Sequence, residues 1–164
     1  MNNTAILSLG SNIEPRQNFL SRASESIDSQ CGTILKISSV YQSEAWGFQS
    51  DPFLNLVLIL STTLNPFELL SRTQAIEREM GRVQKSSPST GYASRTIDID
   101  ILFFNNWTIN TPQLVVPHPQ LNLRKFVLVP LCELLPDFIH PIENKTIQTL
   151  LQLCPDQLEV KKVE

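Results

Sequence analysis

Asp98 and Asp100 stand two residues apart in RTIDIDILFF, the run from Arg95 to Phe104, which is otherwise largely apolar. Strand side chains alternate between faces, so the two carboxylates share one face and Ile97, Ile99 and Ile101 share the other. Their Cα atoms would lie ~6.6 Å apart. Two like charges at that spacing, with apolar flanks, repel and resist desolvation. A cation between them, or open water over the face, removes the cost. Mg²⁺ takes one or two carboxylates and completes its shell with substrate phosphates. Basic residues also gather here. Between Arg78 and Lys125 the chain carries Arg78, Arg82, Lys85, Arg95, Arg124 and Lys125 against Glu79, Asp98 and Asp100, within a net charge of −3. Guanidinium forks match phosphate oxygens. The combination points to phosphoryl or nucleotidyl chemistry, in which positioning and charge neutralisation do most of the work. The plainer reading is the wet face of an edge strand; the close apolar flanks and the arginines weigh against it.

Other residues invite a chemical reading beside a structural one. His118 lies between prolines in VPHPQ, and a lone histidine there is more often a surface or capping residue than a catalyst. Trp46, Phe53 and Phe126 are by default core aromatics. Asn55 is harder to dismiss, because it interrupts the apolar run FLNLVLIL. A buried amide must find partners, and it offers both a donor and an acceptor to a heterocycle. The chain has no GxxxxGK[ST], no GxSxG and no HExxH.

These residues need elements to hold them. The 164-residue length fits a single domain over residues 1–164 with a real core, and 41% hydrophobic residues argue against disorder. A pI of about 5.4 argues against a broad nucleic-acid footprint. Cys31, Cys132 and Cys154 form no CxxC pair. They read as small core residues in a reducing cytosol, not as disulfides or a zinc site. With no basic leader and no apolar run of membrane-spanning length, a cytoplasmic, unprocessed protein is expected.

TAILSLGSN reads as a strand ending in a turn. Pro15 suits the first turn of a helix, and Phe19, Leu20, Ala23 and Ile27 recur at helical spacing to about Ser29. Gly32 breaks that helix. TILKISSVYQSEAW alternates as a strand, and Phe53 to about Thr63 forms another. Asn65-Pro66 opens a helix with Phe67, Leu70, Ile76 and Met80 on one face and Gly81 as its stop. Residues 84–94 have no periodicity and read as a long mobile loop. The aspartate strand follows, with a second hairpin strand near Trp107 to Leu114. FVLVPLCELLP and TIQTLLQL are expected to be short helices. The order is β-α-β-β-α-β, an α+β, ferredoxin-like core: an antiparallel sheet with helices on one face.

The chain resembles the 6-hydroxymethyl-7,8-dihydropterin pyrophosphokinase family of folate biosynthesis. The resemblance runs through LGSN, the FLN strand, QAIEREMGRV, RTIDIDIL, VPHPQLNLRKFVL and PLCELLPDFIHP. Its most specific piece is RTIDIDIL followed by VPHP. It implies a monomeric enzyme that transfers the terminal pyrophosphate of ATP to the pterin hydroxymethyl oxygen and releases AMP. The charge and hydropathy above lead to the expectation of no nucleic-acid or membrane partner. By position, Asp98 and Asp100 resemble the ligands of two Mg²⁺ ions, with Asp98 near enough to take the hydroxyl proton. Arg82 and Arg95 resemble mobile-loop arginines that close over the triphosphate. Gln74, Glu77, Tyr92, His118 and Arg124 match positions around ATP. Ser43, Ala45, Trp46, Phe53, Asn55 and Phe126 match positions around the pterin, the two phenylalanines as an aromatic sandwich. The loop departs from the family pattern. It reads SSPSTGYASRT, with Tyr92 where a tryptophan often stands, and Gln84 replaces a common basic residue. The chemistry is expected to survive with altered loop behaviour. Two other classes remain open at this level: a nucleotidyltransferase that releases pyrophosphate, and a non-catalytic ferredoxin-like binding module.

Overall fold

The structure, a computed structural model, describes residues 2–43, 52–81 and 96–163. Five segments form the spine of the fold: β1 (Asn3–Ser11), α1 (Arg16–Gln30), β4 (Phe53–Thr62), α2 (Pro66–Glu79) and β5 (Asp98–Phe104). Between α1 and β4 the expected single strand is two, β2 (Thr33–Ile37) and β3 (Tyr41–Ser43). Both pair with β4, one after the other, and Ser38 bridges them by donating its backbone N–H to the Val57 carbonyl. The main sheet runs β5-β1-β4-β3-β8, with β2 beside β4 and every pairing antiparallel. This is the expected split βαβ order. The outermost strand, β8 (Val160–Lys162), comes from a tail in which the sequence shows no strand signal.

Each local element has a visible cause. Asn65 caps α2 with a full capping box: its side chain accepts from Phe67 and Glu68, while Glu68 accepts from the Asn65 N–H. Gly81, at φ +97°, supplies the left-handed stop. Pro15 is the N-cap of α1, not a first-turn residue. The predicted hairpin strand after β5 does not join the aspartate strand. It forms β6 (Ile109–Asn110), paired with β7 (Val115–Val116) in a separate ribbon.

Helices cover both faces of the sheet, not one. On the first face Leu20, Ala23 and Ile27 of α1 and Leu69 and Ile76 of α2 pack on Leu7, Leu9, Leu56, Leu58, Ile99 and Ile101. On the second, α3 (Lys125–Leu134) and α4 (Ile147–Leu153) pack on Ile6, Val57, Leu102 and Phe103. A bulge in β5 explains how Leu102 and Phe103 join the same side. Ile101 faces Leu7 and Phe103 faces Ile6, leaving Leu102 as the extra residue. Cys31 lies in the first core, where burial pushes its thiol up to about 11. All three cysteines are free.

A tight turn closes the connection to α4. His140 is buried edge-on against Phe103, and its Nδ1 accepts from the backbone N–H groups of Ile142 and Glu143 at 3.1 Å each. Burial lowers the His140 pKa, outweighing the Glu143 charge that acts the other way. A lowered folded pKa means that only the unfolded chain takes up this proton first. Stability should therefore fall as pH drops below about 6.5. Thermal melts should show the wild type losing ground to His140→Asn over that range; parallel curves would refute the assignment.

Candidate active site

The second face of the sheet divides along its strands. Beneath α3 and α4 it is apolar. Further along the same strands it carries Ser8 and Gly10 on β1, Phe53 and Asn55 on β4, and Asp98 and Asp100 on β5. Cross-strand partners share a face, so the register draws a row across four strands. Asp98 lies opposite Gly10, Gly10 opposite Asn55, and Asn55 opposite Tyr41. In the next row Asp100 lies opposite Ser8. Neighbouring strands are ~4.8 Å apart, so Asp98 and Asn55 are separated by about 10 Å across the sheet. That is close to the length of a bicyclic heterocycle with a one-carbon arm. Gly10 keeps the floor between them open: a Cβ there would lie 3.1 Å from Asn55 Oδ1 and 3.5 Å from the Phe53 ring.

The buried amide has its partner. Asn55 Nδ2 donates to Ser43 Oγ at 2.7 Å, and Ser43 faces Phe53 across the ladder. Tyr41 ends the row, donating its hydroxyl at 2.5 Å to Glu133 on α3. Burial, then the Glu133 contacts, push the Tyr41 phenol up to about 12. Burial disfavours the Glu133 charge, but hydrogen bonds from Tyr41 and Ser39 outweigh it and hold the carboxyl below its ordinary value. The sequence reading named neither Tyr41 nor Gly10 as a site residue. Strand alternation was the available signal, since Tyr41 stands two residues before Ser43.

Asp98 and Asp100 are half-buried, whereas Ile97, Ile99 and Ile101 are buried on the opposite face. The strand begins at Asp98, so Arg95 precedes it. His118 is brought to the pair. Its backbone N–H donates to the Leu102 carbonyl, and Nε2 lies 4.0 Å from Asp100 Oδ2. Nδ1 accepts from the Gln120 N–H, so the proton of the neutral ring sits on Nε2, toward Asp100. Arg124 is buried at the start of α3, bonded to the Gln120 side chain and 5.8 Å from the ring of half-buried Phe126.

Gln74 and Glu77 come from α2, which packs on the first face. Gln74 is half-buried. Glu77 is buried, and its Oε2 accepts at 2.8 Å from the Ile99 N–H, which lies between the two aspartates on the outer edge of β5. Ala45, Trp46, Arg82, Tyr92 and Arg95 lie outside the described residues, as does the 84–94 loop. Among the described residues no helix is long and apolar enough to cross a membrane.

The donor set suits a hard cation: two carboxylates on one face, half-open to solvent, with oxygen ligands only. The arrangement can hold a polyanion at one end of the row and a flat polar heterocycle at the other.

Known proteins resemble this chain in sequence and fold. The sequence model of 7,8-dihydro-6-hydroxymethylpterin-pyrophosphokinase (HPPK) matches residues 6–136. A 2-amino-4-hydroxy-6-hydroxymethyldihydropteridine pyrophosphokinase of Porphyromonas gingivalis is 46% identical over 137 residues, 82% of this chain and 92% of that one. The Aquifex aeolicus protein of the same name is 42% identical over 146 residues, 88% of each chain. Among solved structures, an HPPK-DHPS in complex with substrates superposes with a TM-score of 0.76 at 17% identity. That likeness speaks for the fold; it covers 93% of this chain, which spans 43% of that longer one. The chain belongs to the 7,8-dihydro-6-hydroxymethylpterin-pyrophosphokinase family.

Proposed function

We infer that this protein transfers the terminal pyrophosphoryl group of ATP to the hydroxymethyl oxygen of 6-hydroxymethyl-7,8-dihydropterin in folate biosynthesis, releasing AMP. The observation that carries the reading is the row from Asp98 to Asn55 within a chain of this family. In this reading one end of the row handles phosphates and the other reads the heterocycle, about 10 Å apart on one sheet.

In this reading the pterin lies over Gly10. Asn55, held by Ser43, reads its polar edge, and Phe53 and Phe126 flank its ring. By family position Ala45 and Trp46 are assigned to the pterin as well. The hydroxymethyl arm then points to the β5 end of the row. Asp98 and Asp100 would hold two Mg²⁺ ions, which would neutralise the ATP phosphates and acidify the attacking hydroxyl when bound. Asp98 lies on the pterin row and is the group placed to accept the hydroxyl proton. His118 presents an N–H donor beside Asp100 for a phosphate oxygen. By family position Arg124, Gln74 and Tyr92 are assigned to the nucleotide, and Arg82 and Arg95 to the remaining positive charge. Fixed donors and charges of this kind act on the developing charge without reorganising at the moment of reaction.

Glu77 has a role that its neighbours define. Its carboxylate holds the edge strand at the peptide between the two aspartates. Groups that orient metal ligands usually cost 10–100-fold in affinity or activity when removed. Glu77→Ala should therefore lower kcat about tenfold and raise the Mg²⁺ concentration for half-maximal rate, whereas Glu77→Gln, which keeps an acceptor, should lose less. Equal rates for all three proteins would show that the strand holds itself.

The reaction class is tested by nucleotide products. Purified protein with ATP, Mg²⁺ and the pterin alcohol should form AMP, and only when the pterin is present. ADP would mean a simple kinase, and free pyrophosphate a nucleotidyl transfer.

A further inference from the structure

Both walls of the proposed pterin site are tied to the C-terminal tail, which lies beyond the residues 6–136 that the family's sequence model matches. One wall is the start of α3, where Phe126 stands. Helix N-termini leave backbone N–H groups without intrahelical partners, and Arg124, at the N-cap, gives α3 no side-chain cap. Asp156 supplies one from 31 residues away: its Oδ2 accepts from the Lys125 N–H at 3.1 Å, while Oδ1 accepts from the Leu158 N–H at 2.9 Å. A carboxylate suits that end of the helix dipole. The other wall is β3, whose Ser43 holds Asn55. Two residues after Leu158 the tail becomes β8 and pairs with β3, Val160 opposite Ser43 and Lys162 opposite Tyr41. Val163 then donates its N–H to the Val40 carbonyl at 2.8 Å. Eight residues thus join the Phe126 side of the site to the Ser43–Asn55 side.

We propose that the segment from Asp156 to Val163 is a tie that sets the width of the pterin slot, with Asp156 as its positioning residue. This rests on the pterin reading above. Asp156 touches no substrate in that reading; it acts through Lys125 and Phe126. Loosening the tie should weaken pterin capture and leave the carboxylates of β5 alone.

The test uses full-length Asp156→Ala, Asp156→Asn and Val163→Pro, with the pterin KM and kcat measured at saturating ATP. Asp156→Ala should raise the pterin KM about fivefold, the worth of one helix cap, with kcat within about twofold of wild type. Asp156→Asn keeps one acceptor and should fall between wild type and Asp156→Ala. Val163→Pro removes the last ladder bond together with the packing of Val163 on the first core, and should raise the KM about twofold. A merely structural role predicts the opposite split: kcat falling with the folded fraction and KM unchanged. That split in a folded variant would overturn the tie. Should Asp156→Ala fail to fold, the KM of Asp156→Asn and Val163→Pro decides. A wild-type protein that makes no AMP from pterin would instead overturn the functional reading itself.

Discussion

Asp100→Ala should lower pyrophosphoryl transfer by about a thousandfold or more while leaving the melting temperature unchanged or slightly raised. The two halves of this expectation have separate causes. Asp100 is half-buried on the outer strand and lies beside His118 and opposite Ser8, so its side chain holds up none of the core. Removing it also removes one of two neighbouring like charges, which relieves repulsion in the ligand-free protein. In the reaction, the proposed metal site loses one of its two carboxylates, and among the described residues of the two rows only Asp98 is left to offer an anionic oxygen. Steady-state rates and a thermal melt on the same preparation check both halves. Near-normal turnover would sink the metal assignment; a collapsed melt would show that the carboxylate is structural.

Gly32→Ala should have the largest effect on stability. The residue joins α1 to β2, and an added Cβ would sit 2.1 Å from the Ser61 carbonyl oxygen. That oxygen cannot easily move. Ser61 pairs with Thr33 on one side and Thr4 on the other, and the adjacent Thr62 hydroxyl donates to the Cys31 carbonyl at 2.5 Å. Relief requires moving the turn away from the central strand. Overpacking of this kind costs about 3 kcal/mol, or roughly a 10 °C fall in melting temperature for a chain of this size. Denaturation of Gly32→Ala against wild type measures it. A difference below half a degree would mean that the turn has room to shift.

Several parts of the fold and site were legible in the residues. Alternation in RTIDIDIL placed both aspartates on one face and the isoleucines in the core, as the burial shows. Asn65-Pro66 and Gly81 bracketed α2 because a cap, a fixed proline φ and a left-handed stop are local chemistry. Asn55 stood out because a buried amide needs a partner, and Ser43 is that partner.

What stayed hidden depended on partners remote in sequence. β8 is three residues long, and only its pairing with β3 makes it a strand. The bulge at Leu102 and the capping of α3 by Asp156 likewise involve neighbours with no local signature. The second helical layer did leave a trace. FLNLVLIL is apolar on both alternating faces, the mark of a strand covered on both sides. Reading it as one-faced put all the helices on one side. Spacing also gave no hint that Glu77 reaches the outer edge of β5, because a helix on the opposite face delivers it.

The most direct test is to follow the phosphorus atoms. With ATP labelled separately at its α, β and γ positions, and with the pterin alcohol as acceptor, the product should carry both the β and the γ label, leaving the α label in AMP. Product bearing only γ, or only α, would contradict the account, because a site built on this row would then be breaking a different bond of ATP.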